Sequence, residues 1–103
     1  MSDFKLLNKS DERGFSFGLE GLGPKNLHVV SIKPGFSRGD HSHEYTEVAL
    51  ILGGKDAALV KIGDERFIVK EEFRPVIFPP FVKHKIKNIG NEEFYLVCFE
   101  VEK

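Results

Sequence analysis

Four residues of this chain carry donor atoms suited to a divalent metal ion, and His41, His43 and Glu47 of these crowd into one short segment. Neutral imidazole nitrogen and anionic carboxylate oxygen are donors that first-row divalent ions accept. All three positions are odd. In an extended segment their side chains therefore leave the same face, whereas on a helix they would fan apart. The run VALILGG that follows is apolar, rich in strand-forming residues and closed by a glycine pair, which favours the strand. The fourth donor is His84, in PPFVKHKIKN. His84, Ile86 and Asn88 alternate with Lys85 and Lys87, which puts His84 on the inward face of a second strand.

Short strands punctuated by glycine and proline must position these groups. Residues 15–19 read as a strand leading into a glycine-rich turn at Gly21, Gly23 and Pro24. Residues 27–33, LHVVSIK, form a β-branched run that feeds through Pro34-Gly35 into the histidine segment. Residues 57–62 and 66–69, joined by Gly63-Asp64-Glu65, read as a hairpin. The final run, FYLVCFEVE, is a strand with Phe94, Leu96 and Cys98 on one face and Tyr95, Val97 and Phe99 on the other; both faces are apolar, so either one suits the interior. Residues 1–14 are polar around a small cluster of Phe4, Leu6 and Leu7, which suits an edge strand or a loose arm. No segment of this chain shows sustained 3.6-residue periodicity. The pattern is that of an all-β sandwich or barrel.

The two histidine segments resemble the two sequence motifs of the cupin superfamily. The first, GxxxxxHxHxxxExxxxxxG, is met at Gly35, His41, His43, Glu47 and Gly54. The second, GxxxxxPxGxxHxxxN, is met at Pro79, His84 and Asn88, but its two glycines fall on Phe73 and Phe81. These departures bear on turn geometry and leave all four donors in place. The resemblance implies a small jelly-roll β-barrel spanning residues 1–103 as one domain, with His41, His43, Glu47 and His84 as ligands to one divalent transition metal: Mn, Fe, Ni, Co, Cu or Zn. It also implies a homodimer, because an N-terminal strand in similar small cupins often crosses to a partner subunit.

Three function classes are compatible with such a site. The segment RGDHSHEYTE resembles the RGxHxH stretch of cupins that modify nucleotide sugars and capsular polysaccharides, which implies a carbohydrate isomerase or epimerase. There the metal would polarise a carbonyl while a nearby base moves a proton. His28, which shares a strand face with Val30 and Ile32, and Tyr45 are the candidates for that base, and Arg38, whose planar fork matches phosphate or carboxylate, is the candidate for holding the substrate. A structural histidine and a solvated loop arginine are the plainer readings of His28 and Arg38. The second class is an Fe- or Mn-dependent dioxygenase, and the third a non-enzymatic binding or sensing module with a ligand in the barrel mouth.

The rest of the chain narrows the partners. Its 103 residues form one domain with a modest core, and 41% hydrophobic against 30% charged residues is ordinary for a globular protein. A net charge of −1 provides no field of one sign to attract nucleic acid or an anionic membrane, so the expected partner is a small molecule. With Cys98 as the sole cysteine there is no internal disulfide, and no apolar run reaches spanning length. The expected location is the cytoplasm. Glu71-Glu72 reads as a solvated turn rather than a catalytic carboxylate pair.

Overall fold

The computed structural model describes residues 5–20 and 24–101, with side chains for 10–16 and 24–101. The described chain is all β. Ten strands run in the order β1 (Lys5–Asp11), β2 (Gly14–Glu20), β3 (Leu27–Ile32), β4 (Ser37–His41), β5 (Thr46–Leu52), β6 (Ala58–Ile62), β7 (Glu65–Ile68), β8 (Phe73–Phe78), β9 (His84–Asn88) and β10 (Phe94–Val101). They form two antiparallel sheets, one of six strands in the order β1-β2-β3-β10-β5-β8 and one of four in the order β4-β9-β6-β7. The arrangement is a two-sheet jelly-roll barrel. β1 lies at the edge and pairs with β2 of its own chain along its whole length.

Alternation builds the interior. Along β5 every second residue is buried, which directs Glu47, Ala49 and Ile51 inward. On β10 the buried set is Phe94, Leu96 and Cys98, and on β9 it is His84, Ile86 and Asn88 with the two lysines outside. Pairing registers stack these residues in layers: Phe94 lies opposite Ile32, Leu96 opposite Val30 and Ile51, and Cys98 opposite His28 and Ala49. The closed end of the barrel is therefore apolar, with Phe94, Ile32, Ile51 and Val60 fully buried. Burying a side chain such as Phe94 contributes about 3 kcal/mol. Toward the other end the same inward rows finish in His28, Glu47, Cys98 and His84.

Asn88 is the polar exception at the closed end. It is completely buried, and its Nδ2 donates to the carbonyls of Ile32 (2.8 Å) and Glu92 (2.7 Å) while its Oδ1 accepts from the amide of Gly90 (2.9 Å). A buried amide with its bonds made costs little, and this one ties β9 to β3 and to the turn before β10.

The histidine segment departs from the single strand that parity predicts. β4 ends at His41 in the four-stranded sheet, the chain bends at residues 44–45, and β5 begins at Thr46 in the other sheet. The pairing of β4 with β9 also slips between Gly39 and His41, where Asp40 takes a positive φ of 69°. A bulge inserts one residue and resets which face later side chains take. The β6–β7 hairpin is tighter than expected: Ile62 pairs with Glu65, leaving a two-residue loop whose first position, Gly63, has φ 60°. Glycine at that position is what a type II′ turn requires.

Candidate metal centre

β4 and β9 meet where His41 pairs directly with His84. That close approach depends on Gly39, whose φ is 107° and whose absent Cβ would lie 2.8 Å from the carbonyl oxygen of His84. The turn after β4 swings His43 over the pair, and β5 supplies Glu47 from the opposite sheet. The result is a compact imidazole cluster: ligand nitrogens of His41, His43 and His84 all lie within 4.8 Å of one another. Glu47 Oε1 is 3.3 Å from His43 Nε2 and 3.2 Å from His84 Nε2. Two donors each about 2.1 Å from one ion stand roughly 3.0–3.4 Å apart at right-angled to tetrahedral geometry, and these spacings match.

Aromatic neighbours hold two of the rings. His84 stacks on Phe78 at 4.0 Å between centroids and 4° between planes, and its Nδ1 faces the carbonyl of Val82 at 3.4 Å. His43 stacks on Tyr45 at 4.5 Å and 8°. The Nε2 of His43 is buried and makes no hydrogen bond, despite its approach to Glu47. An unpartnered buried nitrogen facing a carboxylate and two further imidazoles suits an ion.

Electrostatics favour the protonation states that binding needs. Burial, reinforced by charge on His43 and His84, lowers the pKa of His41 and so favours its neutral form. Burial alone would raise the pKa of the Glu47 carboxyl, but contact with His84 and the charges of His43 and His28 outweigh it, and the net shift is downward. The shifts therefore favour a neutral His41 beside an ionised Glu47 carboxylate.

A cavity of about 310 Å³ opens over this cluster. Its lining includes His41, Glu47 and His84, the polar Arg38, Arg13 and Ser16, and the apolar Val30, Ile86 and Leu96. His28 lies on the wall as well. Its Nδ1 donates to the carbonyl of Asn26 at 2.6 Å, and its Nε2 lies 4.0 Å from Glu47 Oε2. Arg38 donates through Nε and Nη2 to the Ser31 carbonyl (3.3 and 3.1 Å) and through Nη2 to that of Phe15 (3.3 Å). Nη1 makes no hydrogen bond among the described residues. Among the described residues no carboxylate forms an ion pair with Arg38, whereas Arg13 is engaged by Asp11 at 2.6 Å.

Tyr45 is placed differently. Its ring backs His43, its hydroxyl pKa is raised first by burial and then by Glu47, and it is not among the cavity's lining residues. It supports a ring rather than facing the space where a substrate would sit. Arg13, Ser16 and Cys98 are cavity residues that the sequence reading did not place. Burial first, then Glu47, pushes the Cys98 thiol well above its ordinary range. Its shared parity with Phe94 and Leu96 was the available signal, and it could not be oriented while both faces of β10 were apolar.

A family model described as Cupin domain matches residues 28–100. Among solved structures, the chain is similar to capsular polysaccharide assembling protein CapF from Staphylococcus aureus, at 22% identity and a TM-score of 0.77, covering 98% of this chain and 29% of CapF. The chain thus spans less than a third of that protein. It is also similar to a predicted oxalate decarboxylase from Thermotoga maritima, at 17% identity and a TM-score of 0.71, covering 98% of this chain and 95% of that one. A third similar structure, plu4264 protein from Photorhabdus luminescens, has 23% identity and a TM-score of 0.74 over 93% of this chain and 81% of its own. No curated protein matches.

Proposed function

The chain belongs to the cupin domain family, and from that premise we propose that it holds one divalent transition metal on His41, His43, Glu47 and His84 and acts on a small anionic hydroxy-carbonyl compound of carbohydrate type. The observation that carries this reading is a single cavity joining the histidine and carboxylate cluster to the guanidinium of Arg38, which forms no ion pair within 4.0 Å among the described residues. A divalent ion on one carboxylate leaves the site with net positive charge, and Arg38 adds to it. The pair suits a substrate with a carbonyl or hydroxyl oxygen at one end and a carboxylate or phosphate at the other. When bound, the metal supplies Lewis-acid polarisation of that oxygen.

The protein's own groups do the remaining work. Arg38 orients the anionic end through Nη1, while its other donors are fixed on Ser31 and Phe15. Val30, Ile86 and Leu96 exclude water beneath the substrate. His28, with its proton held on Nδ1 by Asn26, offers Nε2 to take a proton from carbon adjacent to the carbonyl and return it. That is the exchange an isomerase or epimerase needs. The name of CapF, a capsular polysaccharide assembling protein, supports carbohydrate as the class.

The test is solvent exchange. Metal-loaded protein in deuterium oxide is mixed with hydroxy-carbonyl sugars and their phosphates, and carbon-bound deuterium is followed by NMR with and without oxygen. Incorporation that is independent of oxygen and lost in His28→Ala is the expected result. Oxygen consumption matched to substrate loss would replace it with the dioxygenase reading, and binding without either would leave a sensing module.

A further inference from the structure

We propose that the mouth of the barrel holds a second, thiophilic divalent cation bound by His28, Cys98 and Oε2 of Glu47, so that Glu47 bridges two ions. The two oxygens of Glu47 serve different neighbours. Oε1 faces His43 and His84 at 3.3 and 3.2 Å, and Oε2 faces His28 at 4.0 Å. A single ion on the imidazole cluster uses the first oxygen and leaves the lone pairs of the second turned toward a separate group of donors. Those donors, from His28, Glu47 and Cys98, all lie within 4.8 Å of one another.

The fold brings them together through sheet register. Cys98 of β10 is the direct cross-strand partner of His28 on β3, and on its other side it pairs with Ala49, two residues from Glu47 on β5. All three side chains point inward from adjacent strands and line the same cavity. His28 is already held as a ligating imidazole is held: its far nitrogen donates to a backbone carbonyl at 2.6 Å, which aims the Nε2 lone pair into the cavity. Nitrogen, carboxylate oxygen and sulfur together form a donor set for zinc or cobalt rather than magnesium or calcium. Binding displaces the thiol proton, which leaves to solvent as the sulfur–metal bond forms. Three protein ligands leave a position open.

The bridging part of this inference rests on the metal site proposed above, while the thiolate site stands on its own residues. His28 Nε2 has one lone pair, so a second ion and a role in proton transfer exclude each other. The two-ion form would be the one in which His28 no longer acts as a base.

The experiment is anaerobic titration of the metal-free protein with Co²⁺, reading stoichiometry together with the sulfur-to-cobalt charge-transfer band in the near ultraviolet. Two equivalents are expected, one of them accompanied by that band. Cys98→Ser should abolish the band and one equivalent, with Cys98→Ala as the substitute if serine disturbs folding; His84→Ala should lose the other equivalent and keep the band. Wild-type protein that binds cobalt with no sulfur band overturns the inference, as does a Cys98 variant that still binds two equivalents. A band with a single equivalent, unchanged in His84→Ala, would instead remove the first site and leave the thiolate site standing.

Discussion

The amide of Phe81 donates to the carbonyl of His43 at 2.7 Å, joining the loop before His84 to the turn that carries His43. Phe81 holds this bond in the left-handed region, at φ 66°, and is three-quarters exposed as a residue. It is the position at which the second motif has glycine. The chain has kept the backbone conformation and lost the residue that adopts it freely, at a cost of about 1–2 kcal/mol.

Phe81→Gly should therefore leave stability unchanged or raise it by up to about 1 kcal/mol, because relieved strain exceeds the entropy glycine adds to the unfolded chain. Phe81→Ala keeps a Cβ and should gain nothing. Chemical denaturation of the two variants side by side separates backbone strain from loss of the ring. A glycine variant less stable than the alanine one would show that the ring matters more than its backbone.

Gly39→Ala attacks the contact between β4 and β9. Its Cβ would meet the His84 carbonyl at 2.8 Å, from a φ of 107° that alanine rarely adopts. The expected loss is at least about 1 kcal/mol of stability, with weakened metal binding because the backbone that must move carries His84. Calorimetric titration with Zn²⁺ or Co²⁺ checks it, and undiminished affinity would count against His84 as a ligand.

Asn88→Ala should cost about 3 kcal/mol, since it deprives the Ile32 and Glu92 carbonyls and the Gly90 amide of their partner at roughly 1 kcal/mol each. Metal stoichiometry should survive, because Asn88 sits at the closed end. A variant that melts like the parent would mean that water replaces the side chain.

Acid should destabilise the metal-free protein through two groups acting in the same direction. His41 has a folded pKa below its ordinary 6.5, so the unfolded chain binds its proton more tightly, and stability falls as pH drops through 6.5 toward the folded value. Glu47 has a folded pKa below its ordinary 4.5, so its contribution is present above that value and is lost as pH falls through the folded one. Melting curves from about pH 8 to about pH 4 should show a falling Tm, with the upper part flattened in His41→Ala. A Tm that rises on acidification would contradict both shifts.

Where a strand runs unbroken, two-residue alternation made its inward residues legible. His84, Ile86 and Asn88 were read from the lysines between them, and β9 buries all three. The same logic assembled His41, His43 and Glu47 on one face for a reason the structure does not share: a bulge at Asp40 and a turn between sheets bring them together. Parity cannot register an inserted residue. Cys98 stayed hidden because both faces of β10 are apolar, and Arg13 because its place on the cavity wall depends on the turn of the β1–β2 hairpin, where the Arg13 carbonyl accepts from the amide of Lys33 at 2.7 Å. Tyr45 had the right chemistry and a nearby position, but stacking turned it to the back of His43.

The passage of the chain from one sheet to the other between His41 and Glu47 has a mechanical side. His41 and His84 belong to the four-stranded sheet and Glu47 to the six-stranded one, so an ion held by all of them is a clasp across the seam of the barrel. Like a cross-link, it would limit how far the two walls can part, and it would do so at the mouth of the cavity. Loading the metal and setting the width of the doorway would then be one event.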